Sequence, residues 1–409
     1  MELVCFVTLI LLQNIYVHGR PACSEHSSNG CEFCVQQPSW WQKCRWCELD
    51  SKCHETGSTA PNNPCNTNQI ITKVTDCPKQ EEFGVYNPQY AYDLLRLSTI
   101  PYVDDQYRAV QCLGSHRLDD FEIVEWIGRH CEDLPLITYK ECLAVVMISK
   151  RKKAIVLAYR GTTDSKQFWD EVQSVLITFK VPSDIGNGKV QGYFKKAHDK
   201  LYDCVVESMQ AQISMYPNYE FWITGHSLGG AIASIASARL LYDGKIRKDK
   251  IALYTFGMPR VGDRQYALDH NRLVNNSWRV IHRNDPVPHY PVSTGFSNGP
   301  FHHRTEVFYP SERMLPTDTN YVVCPGSDNN NCGSAFSLNG DIKDHKIYFD
   351  IPVGTFCQNV GRSTKSAMWN HFNDTTCSRL KNLVNRAMLG TGYDQTTMLL
   401  IVLTCVLFN

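Results

Sequence analysis

Residues 224–231 read TGHSLGGA, and this short stretch decides the fold. It fits the pattern G-x-S-x-G, with an apolar run over 219–224 that predicts a strand before it and a run over 231–242 that predicts a helix after it. A serine on so sharp a strand-to-helix turn has a strained backbone, and small neighbours avoid clashes there. The stretch therefore predicts an α/β protein in which Ser227 is a nucleophile at a helix N-terminus.

Further strands and helices alternate around this stretch. The runs 142–147 and 154–159 predict a hairpin, and 190–209 has the apolar spacing of a helix. Additional strands are expected at 251–256, 278–282 and 305–309. Strands that alternate with helices indicate a central, mostly parallel sheet over a large domain, residues 85–385.

Composition narrows the classes of partner. The 409 residues carry 41 basic and 41 acidic side chains, so there is no net positive field to attract nucleic acid. A chain of this length has room for one large catalytic core and a small extra module. The charge balance is compatible with neutral substrates but does not point to them.

The N-terminus predicts a cleaved signal peptide over residues 1–19. Residues 6–12 form an apolar run too short to span a bilayer, and Gly19 is a small residue at the expected cleavage point. Secretion agrees with the 18 cysteines of the chain. Sequons at Asn275 and Asn373 would then be open to glycosylation.

The C-terminal tail, residues 390–409, has two interpretations. Residues 398–408 are apolar and uncharged, but a helix of that length falls short of the ~30 Å hydrocarbon core of a bilayer. Small residues at 390–392 precede the run, an arrangement that resembles a glycolipid-anchor signal whose tail is removed. The tail is therefore either an anchor signal at the cell surface or a packed terminal segment.

Residues 20–80 differ from the rest of the chain in their density of cysteine. Two C-x-x-C pairs raise the alternative of a zinc site, but secretion and the short spacing between the pairs favour disulfides. We therefore expect a small disulfide-stapled module and no metal. Its cysteines are Cys23, Cys31, Cys34, Cys44, Cys47, Cys53, Cys65 and Cys77.

A nucleophilic serine needs a histidine base and a carboxylate that orients it. In α/β proteins that carry their nucleophile on such a G-x-S-x-G turn, the chain order is serine, then carboxylate, then histidine. Asp285, in a proline-stiffened loop after the predicted strand 278–282, is favoured over Asp263, which lies closer to Ser227 in the sequence. The residues alone leave four histidines as candidates for the base: His289, His302, His303 and His345.

Several of these segments together resemble the fungal-type, class 3 lipases, over about residues 90–360. The resemblance implies an α/β-hydrolase fold, with the aspartate in a D-x-V-P-H loop and the histidine in a D-H-x-x-Y-F segment. Both patterns are present, and they assign Asp285 and His345. The matching segments are 159–162, 225–231, 256–263, the Asp285 loop, and 344–345 with 348–349.

The resemblance also implies an oxyanion hole formed by the backbone N–H groups of Thr162 and Leu228. It places an amphipathic lid after Thr162, where Phe168 and Trp169 would cover the apolar pocket and contact a lipid interface. An ordinary helix that buries both rings is the alternative. A similar short loop in the family pairs Cys324 with Cys332.

The N-terminal module loosely resembles plexin-semaphorin-integrin cysteine modules, which implies a spacer or interaction role with an unknown protein partner. The whole chain is thus expected to be a secreted serine hydrolase that cleaves carboxylic esters of lipids without a cofactor. Phospholipase or acyltransferase chemistry on the same site is one alternative. A non-catalytic surface binding protein is the other.

Overall fold

The structure, a computed structural model, describes residues 22–37, 43–58, 63–65, 69–77, 84–103, 106–131, 141–162, 179–292, 299–324, 326, 328, 332, 340–358 and 360. The predicted signal peptide (1–19), the tail (390–409) and Asn373 lie outside these residues. The chain divides after Lys79 into two compact units, residues 1–79 and 80–409. No helix among the described residues is both long and apolar enough to cross a membrane.

The N-terminal unit is organised around its disulfides. After a 3-10 helix at Cys23–Asn29 it contains α1 (Gly30–Gln36), β1 (Cys44–Cys47), β2 (Lys52–Glu55) and β3 (Ile70–Ile71), which pair in the order β2-β1-β3. So small a unit cannot bury a large apolar core, so cross-links replace part of it. All eight cysteines are joined, as Cys23–Cys44, Cys31–Cys77, Cys34–Cys53 and Cys47–Cys65.

These cross-links bear on the zinc alternative. Among the described residues, two clusters of metal-ligand type occur, and both belong to this unit. Their sulfurs are all held in disulfides, so they are not available as thiolates. The clusters are Cys23, Cys44 and Cys53, and Cys47 with Asp50 and His54.

In the part of the second unit that the structure describes there are fourteen strands and six α-helices. The strands are β4 (Phe121–His130), β5 (Glu141–Ser149), β6 (Ala154–Tyr159), β7 (Lys180–Pro182), β8 (Lys189–Gln191), β9 (Glu220–His226), β10 (Ile251–Phe256), β11 (Gly262–Asp263), β12 (Ser277–His282), β13 (Pro300–Phe301), β14 (Glu306–Tyr309), β15 (Val322–Cys324), β16 (Ile347–Tyr348) and β17 (Ile351–Pro352). The helices described are α2 (Pro88–Thr99), α3 (Gln106–Ser115), α4 (Gly192–Met215), α5 (Leu228–Tyr242), α6 (Arg264–Leu273) and α7 (Ile342–Lys346).

The central sheet has eight strands in the order β15-β14-β12-β10-β9-β6-β5-β4. Strands β6, β9, β10, β12 and β14 run parallel to their neighbours in that series, whereas β4, β5 and β15 are antiparallel additions at the two edges. The predicted hairpin is the β5–β6 pair, in which Ser149 lies opposite Ala154. The expectation of a mostly parallel α/β sheet is therefore confirmed.

Helices cover both faces of this sheet. In β6, Ile155 and Leu157 pack into the apolar cluster that contains α4 and α5. Val156 and Ala158 alternate to the opposite face, where α2 and α3 pack. A strand buried on both faces reads as a continuous apolar run, which explains the sequence of β6.

Three described disulfides join parts of the second unit. Cys112–Cys357 connects α3 to the segment after β17, and Cys131–Cys142 connects β4 to β5. Cys324 and Cys332 form the short loop bridge that the resemblance implied. The Cys112–Cys357 bridge joins residues 245 positions apart, a pairing that the spacing of cysteines in the sequence does not identify.

Candidate active site

Ser227 occupies the turn between β9 and α5. Its backbone has φ 57° and ψ −128°, a region that only a sharp turn imposes on a residue with a side chain. The turn is possible because Gly225 touches Gly229: a Cβ on Gly225 would lie 2.3 Å from the carbonyl carbon of Gly229. The Ser227 hydroxyl is buried, and among the described residues no hydrogen-bond partner is found for it.

Asp285 and His345 form a buried pair. Asp285 follows β12, His345 lies on α7, and the two side chains are 0% and 1% exposed. Nδ1 of His345 lies 2.9 and 2.8 Å from the two carboxylate oxygens of Asp285. An ionised carboxylate can accept hydrogen bonds but has no proton to donate. Nδ1 of His345 therefore carries the proton of this hydrogen bond, and Nε2 is the nitrogen that can take another proton.

The surroundings of Asp285 keep it ionised. Burial raises its pKa, but the His345 ring, the Tyr348 hydroxyl and the backbone N–H of Val287 outweigh burial and hold the pKa below its usual range. The Tyr348 hydroxyl donates to Oδ2 at 2.5 Å, and Val287 N–H donates to Oδ1 at 2.9 Å. The carboxylate therefore stays charged and can stabilise a positive imidazole.

His226 connects the serine turn to the histidine segment. Its Nε2 donates to the backbone oxygen of His345 at 2.8 Å, and the two rings lie 4.5 Å apart between centroids. The backbone N–H of Ser227 donates to Phe256 at 2.9 Å, and Gly257 directly behind it abuts Asp285 and His345. Ser227, Asp285 and His345 thus lie on neighbouring segments at the carboxyl ends of β9 and β12.

The rival candidates are placed elsewhere. The Asp263 carboxylate caps α6 by accepting from Tyr266 N–H at 2.9 Å. His302 contacts the backbone oxygen of Pro288 at 2.7 Å, and His303 stacks on His270. His289 lies in a 3-10 helix after Asp285, and burial, followed by the nearby Arg260, lowers its pKa to about 4.

Thr162 and Leu228 lie on the two segments expected to form an oxyanion hole. Leu228 begins α5, and the first N–H groups of a helix have no partner within it. Thr162 comes just after β6, next to Gly161, where a Cβ would lie 2.5 Å from the backbone oxygen of His226. Gly161 therefore lets the end of β6 run directly against the serine turn.

Other predicted residues fall partly outside the described chain. Phe168 and Trp169, the lid candidates, lie outside the described residues. Asn275 lies between α6 and β12, where it is partly exposed.

Sequence reasoning missed two contributors to this site. Tyr348 stood in the quoted D-H-x-x-Y-F pattern, yet nothing in the pattern indicated that its hydroxyl bonds Asp285. His226 stood beside the serine, and its contact with the His345 backbone joins residues 119 positions apart. Contacts at such separations leave no periodic signal in a sequence.

The chain is similar in sequence to known lipases. The family model described as Lipase (class 3) matches residues 156–295, which include the serine turn and Asp285. A lipase of Caenorhabditis elegans is 31% identical over 312 residues, 67% of this chain and 84% of that protein. The secreted mono- and diacylglycerol lipase 1 of Fusarium solani is 29% identical over 210 residues, and the chain spans 59% of its length.

Among solved structures, the triacylglyceride lipase of Rhizomucor miehei superimposes with a TM-score of 0.55 at 23% identity, over 66% of this chain and 95% of that one. At that identity the likeness shows the fold. The match to the Caenorhabditis elegans lipase is a likeness in sequence, and it covers two thirds of this chain. Together with the serine turn on a mostly parallel sheet, these matches show that the chain belongs to the class 3 lipase family of the α/β-hydrolases and is a carboxylic-ester hydrolase.

Proposed function

We propose that this chain is a secreted lipase that hydrolyses acylglycerol esters through an acyl-serine intermediate on Ser227. The observation that carries the proposal is the buried His345–Asp285 pair beside a serine in a strained turn. A histidine base that is oriented by an ionised carboxylate is what a serine hydroxyl needs to become a nucleophile at neutral pH.

In the first half of the reaction, Nε2 of His345 takes the proton of the Ser227 hydroxyl while Oγ attacks the ester carbonyl carbon. The carbonyl oxygen becomes an oxyanion and accepts from the backbone N–H groups of Leu228 and Thr162. His345 then gives its proton to the alcohol, which leaves as the carbon–oxygen bond breaks. Ser227 is now acylated.

In the second half, water attacks the acyl-serine with His345 again as base, and the fatty acid departs. Throughout, Asp285 holds Nδ1 of His345 and stabilises the imidazolium that forms in each half. Tyr348 and the Val287 N–H support this role because they keep Asp285 ionised while it is buried.

Two further observations support the substrate and the location. Relatives bear the names mono- and diacylglycerol lipase and triacylglyceride lipase, so acylglycerols are the class to try first. The seven disulfides between described cysteines suit an oxidising compartment, and a relative of this chain is named as secreted.

The test measures fatty-acid release from emulsified acylglycerol and from a short soluble ester, using the secreted full-length chain. We expect Ser227→Ala to lower kcat by about 10⁶-fold on both substrates. Ser237→Ala is the matched control, because Ser237 is a buried serine of α5 whose hydroxyl donates to the backbone oxygen of Ser234 within the same helix. Residual turnover by Ser227→Ala near the wild-type rate would refute the acyl-serine mechanism, and folded wild type inactive on acylglycerol would refute the substrate class.

A further inference from the structure

The backbone around His345 is held by two buried histidines from two different strands. His226, at the end of β9, donates to the carbonyl oxygen of His345 at 2.8 Å. His282, at the end of β12, places Nδ1 2.7 Å from the carbonyl oxygen of Ile347 and 3.2 Å from that of Asp344. The backbone carbonyl oxygens of Asp344, His345 and Ile347 therefore all meet an imidazole ring.

The other nitrogen of His282 also faces carbonyl oxygens. Nε2 lies 3.1 Å from the backbone oxygen of Ser311 and 3.1 Å from that of Glu312, on the loop after β14. The residue is 2% exposed, so water does not substitute for these contacts. Four carbonyl oxygens, divided between the two ring nitrogens, are the partners of one imidazole.

Backbone carbonyls accept hydrogen bonds and cannot donate them. A neutral imidazole has one N–H, so one of its nitrogens would present a lone pair to carbonyl oxygens about 3 Å away. Only the doubly protonated ring satisfies both sides. This surrounding therefore fits an imidazolium and not a neutral histidine.

His226 is the internal contrast. Its Nε2 meets a carbonyl, but its Nδ1 lies 2.8 Å from the hydroxyl of Tyr102, which can donate. One proton on Nε2 is enough to satisfy this ring. Burial and then the nearby His345 lower the pKa of His226 to about 3, which agrees with a neutral ring.

Negative charge is available on the elements around His282. The Asp344 carboxylate, on α7, accepts from Asn284 N–H at 3.1 Å and lies 4.0 Å from Arg283. Asp285, on the loop after β12, accepts from the Tyr348 hydroxyl, and that hydroxyl in turn accepts from the backbone N–H of His282. Arg283 is 38% exposed, so its opposing charge is partly screened by water.

We propose that His282 is a doubly protonated positioning residue, which with neutral His226 fixes the turn that carries His345. The inference rests on the proposed function, because it assigns to both residues a role in placing its base. His282 reaches three segments at once: the start of the Asp285 loop, the 311–312 loop and the His345 turn. Its charge strengthens each of those hydrogen bonds.

The protonation state is measured directly on the full wild-type chain labelled with ¹⁵N-histidine. We expect both ring nitrogens of His282 to show the chemical shift of a protonated nitrogen at neutral pH, and His226 to show one protonated nitrogen. A His282 ring with a single protonated nitrogen overturns the proposal. This reading needs neither a variant nor an active enzyme, so it stays separate from failure of the proposed function.

The positioning role is measured with His282→Gln, whose amide cannot donate on both sides. We expect kcat on a soluble ester to fall by about 100-fold with KM changed less than about twofold, since misplacing the base affects chemistry and not binding. His303→Gln is the matched control, because His303 is a buried histidine whose ring meets Ser277, the backbone oxygen of Arg304 and the His270 ring. Equal kcat loss in both folded variants, or no loss in His282→Gln, contradicts the role.

Discussion

Tyr348 contributes to the site through its hydroxyl group. It donates to Asp285 at 2.5 Å and is one of the contacts that lower the pKa of that buried carboxylate. Removing it in Tyr348→Phe leaves Asp285 with less compensation for burial, so its pKa rises and its hold on His345 weakens. A hydrogen bond to a charged group contributes about 1.5–3 kcal/mol, so we expect kcat to fall roughly 10-fold or more.

Steady-state kinetics on a soluble ester measure this effect. Tyr266→Phe is the matched control, since Tyr266 is a buried tyrosine whose hydroxyl meets Ser234 at 3.0 Å, away from the triad. If Tyr348→Phe kept the wild-type kcat, the hydroxyl would not be needed to maintain the carboxylate.

Gly257 is placed where no side chain fits. Its φ is +57°, and a Cβ would lie 2.6 Å from Oδ2 of Asp285 and 2.8 Å from Nδ1 of His345. Gly257→Ala must therefore displace the Asp285–His345 pair, which we propose activates Ser227. Because small misplacements of reacting groups cost about 100-fold in rate, we expect at least that loss of kcat.

The control for this substitution is Gly114→Ala in α3, where no atom lies within 4 Å of the added Cβ. That variant should keep full activity and gain about 0.5–1 kcal/mol of stability, as alanine does in a helix. Full esterase activity in Gly257→Ala would show that the triad geometry described here is not the working one.

At the scale of elements, long-range bridges hold the parts that the sheet does not. Cys112–Cys357 spans a sequence separation of 245 and connects α3 to the segment that follows the His345 turn. Cys324–Cys332 spans only 8. A bridge stabilises largely by restricting the unfolded chain, and the restriction grows with loop length.

We therefore expect Cys112→Ala with Cys357→Ala to lower the free energy of unfolding by about 5 kcal/mol, against about 2.5 kcal/mol for Cys324→Ala with Cys332→Ala. Guanidinium titration of the full chain, followed by tryptophan fluorescence, measures both. The short bridge serves as the control for loss of a disulfide as such, and a larger cost for the short bridge would contradict this order.

The short loop closed by Cys324–Cys332 is also held by an ion pair. Asp328, within it, pairs with the buried Arg260 at 2.7 Å. The Arg260 guanidinium also donates to the backbone oxygen of Pro291 at 3.0 Å, and to that of His289. The loop is thereby joined to the segment that follows Asp285, so elements far apart in sequence support one side of the site.

For the molecule as a whole, buried histidines set the response to acid. His303 is fully buried and stacked on His270, with 3.7 Å between centroids. Burial, then Arg279, lowers the pKa of His303 from 6.5 to about 3, and burial lowers that of His270 as well. Between these pH values the unfolded chain binds protons that the folded chain excludes.

Stability should therefore be complete above pH 6.5 and decline as the pH falls toward 3. Each such histidine contributes a slope of up to about 1.4 kcal/mol per pH unit. Guanidinium titrations at pH 7.0, 6.0 and 5.0, as ~1-unit steps, measure the slope. His303→Phe keeps a stacked ring without the proton, so its slope should be shallower, and an unchanged slope would exclude His303 as a source.

Much of the site could be predicted because its signals are local. The glycines around Ser227 lie within three residues of it, and the order of serine, aspartate and histidine along the chain follows the order of the strands. The sequence also indicated that the N-terminal cysteines pair, because eight of them fall within one short segment. Each of these inferences needs only neighbours along the chain or a known spacing.

What the sequence by itself determined was thus the α/β class and the strand-to-helix turn at Ser227, and with the family pattern it supplied the proposal of Asp285 and His345 as the orienting acid and the base. Only the tertiary structure decided that Cys112 pairs with Cys357, that Tyr348 bonds Asp285, and that His282 is surrounded by carbonyls. The physical reason is the range of the contacts. Disulfide connectivity and the hydrogen-bond partners of a buried ring depend on which distant segments packing brings together, and a sequence pattern holds no record of that.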